Sequence, residues 1–376
     1  MSVEGFIASR LRFKGRLAVI AIAVSFFVMI ISLAISGGFR AEIRRGLSSL
    51  SGDIRLLSSE EPVSSSLSYF SKMGEFDVVE SITPVIWKPG IAKGPDDISG
   101  VLVKGVPMPD SCSLQARIPS RLARKLQLNA GDTFTTWFVD EKVRARRFTV
   151  SEVFESLIDT DEFLTIEVPL ADMQRLCGWD ATECSNFEVM LKDGADADAT
   201  AFSMSLVAYG NAKEDEDVLR ASTAREKYPQ LFDWLDLIDV NVAAIILLMI
   251  VVAGFNMISG LLILLFRHIS TIGMLKSLGM GNKAIAKVFL NVAARSTAIG
   301  MAIGNGAALL FCLVQGTTHL IRLNPANYFV SYVPVSISIP TLLIVNAVAF
   351  GAIMLLLLIP TLFISRVDPA ETVRVR

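Results

Sequence analysis

Residues 242–266 read VAAIILLMIVVAGFNMISGLLILLF, 25 positions without a charge. About 20 consecutive apolar residues carry a helix across the hydrocarbon core of a bilayer, so this stretch predicts a transmembrane span. Working outward, residues 17–36 and 341–363 have the same character, and 289–314 does so with one interruption, Arg295. Four spans are expected, at 17–36, 242–266, 289–314 and 341–363. The 376 residues are 52% apolar and 19% charged, with a mean hydropathy of +0.53. That is too apolar for an ordinary soluble chain and too polar for one that lies wholly in a membrane.

The first run follows Arg10, Arg12, Lys14 and Arg16, and Ala34-Ile35-Ser36 has the small residues of a signal-peptide cleavage site. The run exceeds the 7–15 residues of a signal h-region, so it is read as a retained anchor. Orientation follows from basic residues at span ends. Segments 1–16, 267–288 and 364–376 hold 11 Lys and Arg against only Glu4, Asp368 and Glu371. Segment 37–241 holds 22 basic and 34 acidic residues, a net −12 that the near-neutral total conceals. Both termini are therefore expected in the cytoplasm, with 37–241 on the other side of the membrane. The domain plan is a cytoplasmic amino-terminal segment 1–16, span 17–36, a periplasmic α+β domain 37–241 and span 242–266. A cytoplasmic loop 267–288, span 289–314, a short periplasmic loop 315–340, span 341–363 and a cytoplasmic tail 364–376 complete it.

Within 37–241, residues 40–50 are expected to continue the first span as helix. Asp53-Ile54-Arg55-Leu56, residues 81–87 and Ile98–Val106 read as strands bordered by Pro and Gly. Ser120 is placed as N-cap of a short helix to Leu128, stopped by Asn129-Ala130-Gly131. Residues 133–139 and 143–154, rich in β-branched and aromatic side chains, predict a hairpin about Asp140-Glu141-Lys142. Helices are expected near 170–176 and over 197–208, a strand over 187–191, and a helical lead into the second span from 225. The domain has no histidine, so Ser–His and Cys–His chemistry is absent from it. No Cys/His cluster has metal-ligand spacing. The acidic run Asp159-Thr160-Asp161-Glu162 reads as a solvated loop. Cys177 and Cys184 could form a disulfide in an oxidising compartment or stand as two free thiols.

The loop after the second span reads RHISTIGMLKSLGMG from Arg267 to Gly281. Ile269, Ile272, Leu275 and Leu278 recur at helical spacing, and Gly279 and Gly281 supply a stop. Such a short helix can lie in the headgroups, join two spans, or dock in a groove of a partner protein. Gly300 and Gly304 form a small-xxx-small pair that lets helices approach closely. Arg295 either snorkels to the membrane surface or pairs with Asn256 or Asn346.

Phe255-Asn256-Met257-Ile258-Ser259, the Ile272-Gly273-Met274-Leu275-Lys276-Ser277-Leu278-Gly279 helix and residues 285–289 resemble the permease core of type VII ABC transporters. That superfamily includes lipoprotein-releasing permeases of the LolC/LolE type, macrolide-efflux permeases of the MacB type and the cell-division permease FtsX. The resemblance in span order covers the whole chain. Phe6-Ile7-Ala8-Ser9-Arg10, Val101-Leu102-Val103-Lys104-Gly105-Val106, residues 323–330 with Val333-Pro334-Val335, and Val367-Asp368-Pro369-Ala370-Glu371 are similar to the lipoprotein-releasing branch. Thr271 stands where the superfamily usually has Glu, and Gly279-Met280 where it often has Gly-Ala. The stretch 177–186 is short beside the hairpin with which some members capture a lipoprotein chaperone. Efflux members usually carry a fused ATPase, whereas 16 residues precede the first run here. Division members tend to have a smaller external domain.

The resemblance implies a non-catalytic membrane subunit that binds no cofactor itself, with ATP and Mg at a separate ABC ATPase. No Gly in the chain is followed by Lys, so the standard phosphate-cradling loop is missing. The ATPase would grip a coupling helix formed by Ile269, Ile272, Gly273, Leu275, Lys276, Leu278 and Gly279, and mechanotransmission would follow. A second permease subunit, in a homo- or heterodimer, would complete a substrate cavity for lipoprotein acyl chains, walled by Phe26, Phe27, Met29, Met257 and Leu261. A periplasmic chaperone is a further expected partner, and nucleic acid is not. The function implied is extraction of lipoproteins from the inner membrane for delivery to the outer membrane.

Overall fold

The computed structural model describes residues 16–95, 97–139, 143–156, 164–192, 194–213 and 216–361. The amino-terminal motif, the 140–142 turn, the 159–162 acidic run and the tail motif at 367–371 lie outside them. The chain divides into two compact units. One comprises Met1–Arg40, Leu235–Ile321 and Val333–Arg376, the other Ala41–Trp234 and Arg322–Tyr332.

Helices α1 (Arg16–Ser51), α7 (Pro229–Arg267), α9 (Asn282–Thr318) and the pair α10 (Ile339–Leu356) and α11 (Leu358–Thr361) hold the described residues of the four apolar runs. Each is long and apolar enough to cross a membrane. The 36 residues of α1 and 39 of α7 far exceed the ~20 that a crossing needs. Residues 40–50 do continue the first span. The expected lead from 225 is interrupted. Residues 224–227 form a separate turn, α6 (Ala224–Lys227), because Pro229 restricts Tyr228 to a non-helical conformation and itself starts α7.

The inserted unit is built on β1 (Ile54–Leu57), β2 (Val63–Ser64), β3 (Val79–Lys93), β4 (Ile98–Val106), β5 (Gln115–Pro119) and β6 (Thr133–Val139). β7 (Val143–Phe154), β8 (Thr165–Pro169), β9 (Glu183–Cys184), β10 (Asn186–Leu191) and β11 (Arg220–Thr223) complete the strands. Helices α2 (Phe70–Gly74), α3 (Ser120–Leu126), α4 (Leu170–Cys177) and α5 (Ala197–Asn211) pack on them. Nine strands run β11-β1-β10-β3-β4-β8-β5-β7-β6, and β6 pairs back onto β3. Six strands therefore close into a ring, with β10, β1 and β11 extending from β3. The 15-residue β3 serves both parts, since residues 79–85 pair with β10 and 86–93 with β4. Alternate residues of these strands fill one apolar core that includes Ile54, Val103, Ile118, Phe134, Phe148, Ile166 and Val189.

The β6–β7 hairpin forms in the expected register, with Val139 opposite Val143. Ser120 is no N-cap. It is the first residue of α3, after extended Pro119, and its hydroxyl donates to Glu155 at 3.0 Å. The helix ends two residues early because Gln127 turns left-handed, φ +54°, and closes it. Cys177 and Cys184 are not joined by a disulfide. Cys184 is buried, which pushes its thiol up to about 12, and it faces the Val63 carbonyl across the β2–β9 pair. A thiol held protonated in this way is a poor nucleophile for disulfide exchange.

Candidate functional site

Three features of the span unit bear on function. The first is the connection between α7 and α9. Helix α8 (Ile269–Ser277) follows α7 after His268, whose N–H reaches the Leu264 and Leu265 carbonyls at 3.2 Å. Gly279 closes α8 at φ +85°, a left-handed conformation open to glycine at no steric cost. Its N–H bonds the Lys276 carbonyl at 3.0 Å, and Met280 bonds Leu275 at 3.0 Å. The expected stop is thus present at the expected glycine.

The expected docking residues divide between two faces. Ile272 and Gly273 are buried, with Ile272 in the same apolar cluster as Leu264, Leu265, Ile285 and Phe289. Ile269, Leu275 and Lys276 are half-buried, and Ile269 and Leu275 rest on that cluster. The outward face consists of Ser270, Met274, Ser277 and Leu278, with Leu278 and Gly279 beyond the last helical turn. Ile272 therefore anchors α8 to its own chain. Met274, absent from the expected set, is 53% exposed and Leu278 is 77% exposed.

The second feature is the packing of the spans. Phe26, Met29, Met257 and Leu261 were expected to wall a cavity. All four are buried in the single chain, in one cluster with Ile22, Ala253, Ala349 and Ile353, where they fill the space between its helices. Phe27 is half-buried and stands edge-on to Phe311, ring centroids 6.4 Å apart. The glycine pair on α9 acts as expected. A Cβ on Gly300 would come within 2.7 Å of Ile22 Cγ2, and one on Gly304 would run into the Ala23 carbonyl. Backbone contact between α1 and α9 requires glycine at both positions.

Several polar groups in the spans bond locally, while Asn305 Oδ1 is buried without a hydrogen-bond partner among the described residues. The Asn305 amide donates to Asn346 Oδ1 at 2.9 Å, and Asn346 donates to the Leu342 carbonyl at 2.9 Å. Asn346 thus pairs with Asn305 rather than Arg295, which is exposed on α9. Ser296 and Thr297 bond the carbonyls four residues back. Buried Gln315 ties down the chain after α9. Its amide donates to Val333 O at 3.1 Å, and its oxygen accepts from Ile321 N–H at 3.1 Å.

The third feature is a charge link between the first two spans. Arg40 on α1 pairs with Asp236 at 3.3 Å and closely with Asp239, both on α7, and the Ser36 hydroxyl also donates to Asp239.

In the inserted unit, Lys104 and Glu188 form a buried ion pair at 2.7 Å, and Lys104 also donates to the Leu50 carbonyl at 2.7 Å. The Trp87 indole N–H donates to Glu188 at 3.0 Å. Burial raises the Glu188 carboxyl, opposed by Lys104 and Trp87. This cluster escaped the sequence reading. Its one signal was Lys104 inside the apolar run VLVKGV.

Four membrane-length helices, an α/β domain inserted between the first and second, and a short helix linking the second to the third are the arrangement expected from the resemblance to type VII ABC permeases. Residues 243–369 match the family of the FtsX-like permease C-terminal domain. Over 407 aligned positions the chain is 23% identical to the lipoprotein-releasing system transmembrane protein LolC of Xylella fastidiosa strain Temecula1 / ATCC 700964. The alignment covers 99% of this chain and 95% of that protein, and LolC of strain 9a5c matches to the same extent. Among solved structures, the periplasmic region of MacB from Actinobacillus actinomycetemcomitans is 11% identical. It covers 50% of this chain and 95% of its own, with a TM-score of 0.32. The extracellular domain of the transporter YknZ from Gram-positive bacteria is 14% identical and covers 45% and 98%, with a TM-score of 0.30.

Proposed function

We propose that this chain is the membrane subunit of an ATP-driven complex that extracts lipoproteins from the bacterial inner membrane for delivery to the outer membrane. The observation that carries this reading is the collinear match to LolC over 99% of the chain. The basic residues of the segments 1–16, 267–288 and 364–376 support an orientation with both termini and α8 in the cytoplasm and the −12 domain outside.

The chain itself carries no catalytic step. A separate ATPase, holding ATP and Mg, grips the outward face of α8 around Met274 and Leu278, supported from behind by Ile272. Closure of the ATPase pair pushes α8. The connections of α8 to α7 and α9 are short, so the push reaches the spans as a rigid shift. Phe26, Met29, Met257 and Leu261 become a wall for acyl chains only when the spans part. The Arg40–Asp239 link between α1 and α7 is the contact that such parting must break. The stretch between α4 and β10 is taken up by the β2–β9 pair, so chaperone capture falls to another subunit.

The test is depletion of the protein in its native host, followed by separation of the two membranes. Outer-membrane lipoproteins retained in the inner membrane support the reading. Normal sorting with a drug-sensitivity or division defect overturns it in favour of an efflux or cell-wall regulatory permease.

A further inference from the structure

A second site lies in the inserted unit. The first turns of α7 and the hairpin-like segment 322–332 enclose a cavity of about 530 Å³, lined among others by Lys227, Tyr228, Leu231, Trp234, Asn327 and Phe329. Trp234 and Phe329 meet edge-on, centroids 6.0 Å apart. Phe329 is held at φ +61°, a left-handed conformation that non-glycine residues seldom adopt. The segment is pinned by the Leu323 N–H to Ser331 carbonyl bond at 3.0 Å and by the bridge between Arg322 and Tyr332. The backbone therefore holds an aromatic ring in place at the cavity wall.

The charge behind that wall is unbalanced. The Lys227 ammonium lies over the rings of Trp87 at 5.3 Å and Tyr228 at 4.9 Å. Arg55 and Lys104 lie over the same Trp87 ring at 5.7 and 5.3 Å. Three cations thus share one indole, and Glu188 is the carboxylate that pairs among them, bound to Lys104. Glu61, which also faces Arg55, is engaged by Lys88 at 3.1 Å. Arg55 Nε is buried without a hydrogen-bond partner among the described residues. Burial, with Arg55 as the next cause, brings the Lys227 amine down to about 8. Among the described residues the cluster has more cations than carboxylates, and Lys227 lines the cavity where a further anion could enter.

We propose that this cavity binds the phosphate headgroup of an anionic phospholipid, with Lys227 on the phosphate and Trp234, Tyr228 and Phe329 against the glycerol and first acyl carbons. A lipid fits better than a bare anion because the walls are mainly aromatic and apolar. Helix α7 also runs on from the cavity into an uncharged membrane-length stretch. Trp and Tyr beside a cation are the side chains of a membrane–water interface. The site is independent of the cargo that the permease moves.

The test uses the purified full-length chain in a neutral detergent, titrated with dihexanoyl phosphatidylglycerol, dihexanoyl phosphatidylcholine or inorganic phosphate while binding heat is measured. Saturable binding of phosphatidylglycerol, weaker for the other two, is the expected result. Lys227→Gln weakens it about tenfold, the loss expected for one charge contact of roughly 1.4 kcal/mol, and Lys227→Arg retains it. Equal binding of phosphatidylcholine removes the charge recognition and overturns the proposal. Inorganic phosphate binding as tightly as the lipid also overturns it, because the ligand is then a free anion. Phosphatidylglycerol binding unchanged in Lys227→Gln, or none in the unaltered chain, overturns it too. The lipid comparison is made on the unaltered chain without cargo, so it stands whether or not the variant folds and whatever the sorting experiment gives.

Discussion

Gly304 lies directly against the main-chain carbonyl of Ala23, with no space between them for a methyl group. A backbone oxygen cannot swing aside as a side-chain end can, so the two helices must separate to admit a Cβ. Gly304→Val should lower the thermal stability of the detergent-solubilised chain by about 1–3 kcal/mol, the usual cost of overpacking. Gly306→Ala, where a Cβ meets nothing within 4 Å, should leave it unchanged. Equal melting of the two variants would dismiss the close contact between α1 and α9.

The two faces of α8 predict opposite phenotypes. Leu278→Asp and Met274→Asp should abolish co-purification with the ATPase subunit while the chain keeps its unfolding temperature. Ile272→Asp buries a charge in the span cluster and should cost about 3 kcal/mol or more. Quantified pull-down and thermal unfolding on the same samples separate the outcomes. A complex that survives Leu278→Asp and Met274→Asp together rules out this docking face.

Lys104 and Glu188 neutralise each other where water does not reach. Lys104→Met removes the cation bonded to Glu188 while Arg55 and Trp87 still face that carboxylate, and should destabilise the inserted domain by about 1–3 kcal/mol, the cost of a lost buried charge-assisted hydrogen bond. The double variant Lys104→Met/Glu188→Leu removes both charges and should recover part of that loss. Denaturant unfolding followed by Trp87 fluorescence measures both. A double variant no better than the single one would assign the loss to packing.

Lys227 titrates near 8 in the folded chain against 10.5 when unfolded. Between those values the unfolded state binds more protons, so this group makes stability rise with pH across roughly pH 8 to 10.5. Below pH 8 both states are charged and the penalty is fully present. The contribution is on the order of 1 kcal/mol once solvent screening is allowed for. Lys227→Gln should flatten that rise in unfolding curves taken at pH 7.5, 9 and 10.5, and an unchanged slope would refute the assignment.

The four spans were legible because charge-free runs of that length have few other uses, and the Gly300/Gly304 contact because its spacing is a packing signal. The start of α7 was less so, because Pro229 cuts the helical lead expected from 225 and a new helix begins at that proline. Strand β3 looked finished at Trp87 because Pro89 and Gly90 follow. In the structure the strand changes partners there and continues on β4. The inward burial of Phe26 and Met257 depends on which helices meet, which no single span encodes. The cluster of Arg55, Trp87, Lys104, Glu188 and Lys227 joins residues far apart in sequence, and only the pairings of β1, β3, β4 and β10 bring most of them together.

Ring closure of β3 through β8 has a consequence for how this domain can meet other proteins. A closed ring has no unpaired strand to extend. At the far end of the sheet, Ser205 on α5 already accepts the Ala221 N–H of β11. Strands β2 and β9 have two residues each, too few to template another. Strand addition by a cargo polypeptide or a second copy therefore finds little purchase among the described residues. Recognition on this side of the membrane must go through side chains on helices and loops, where single substitutions can retune it without unzipping the sheet.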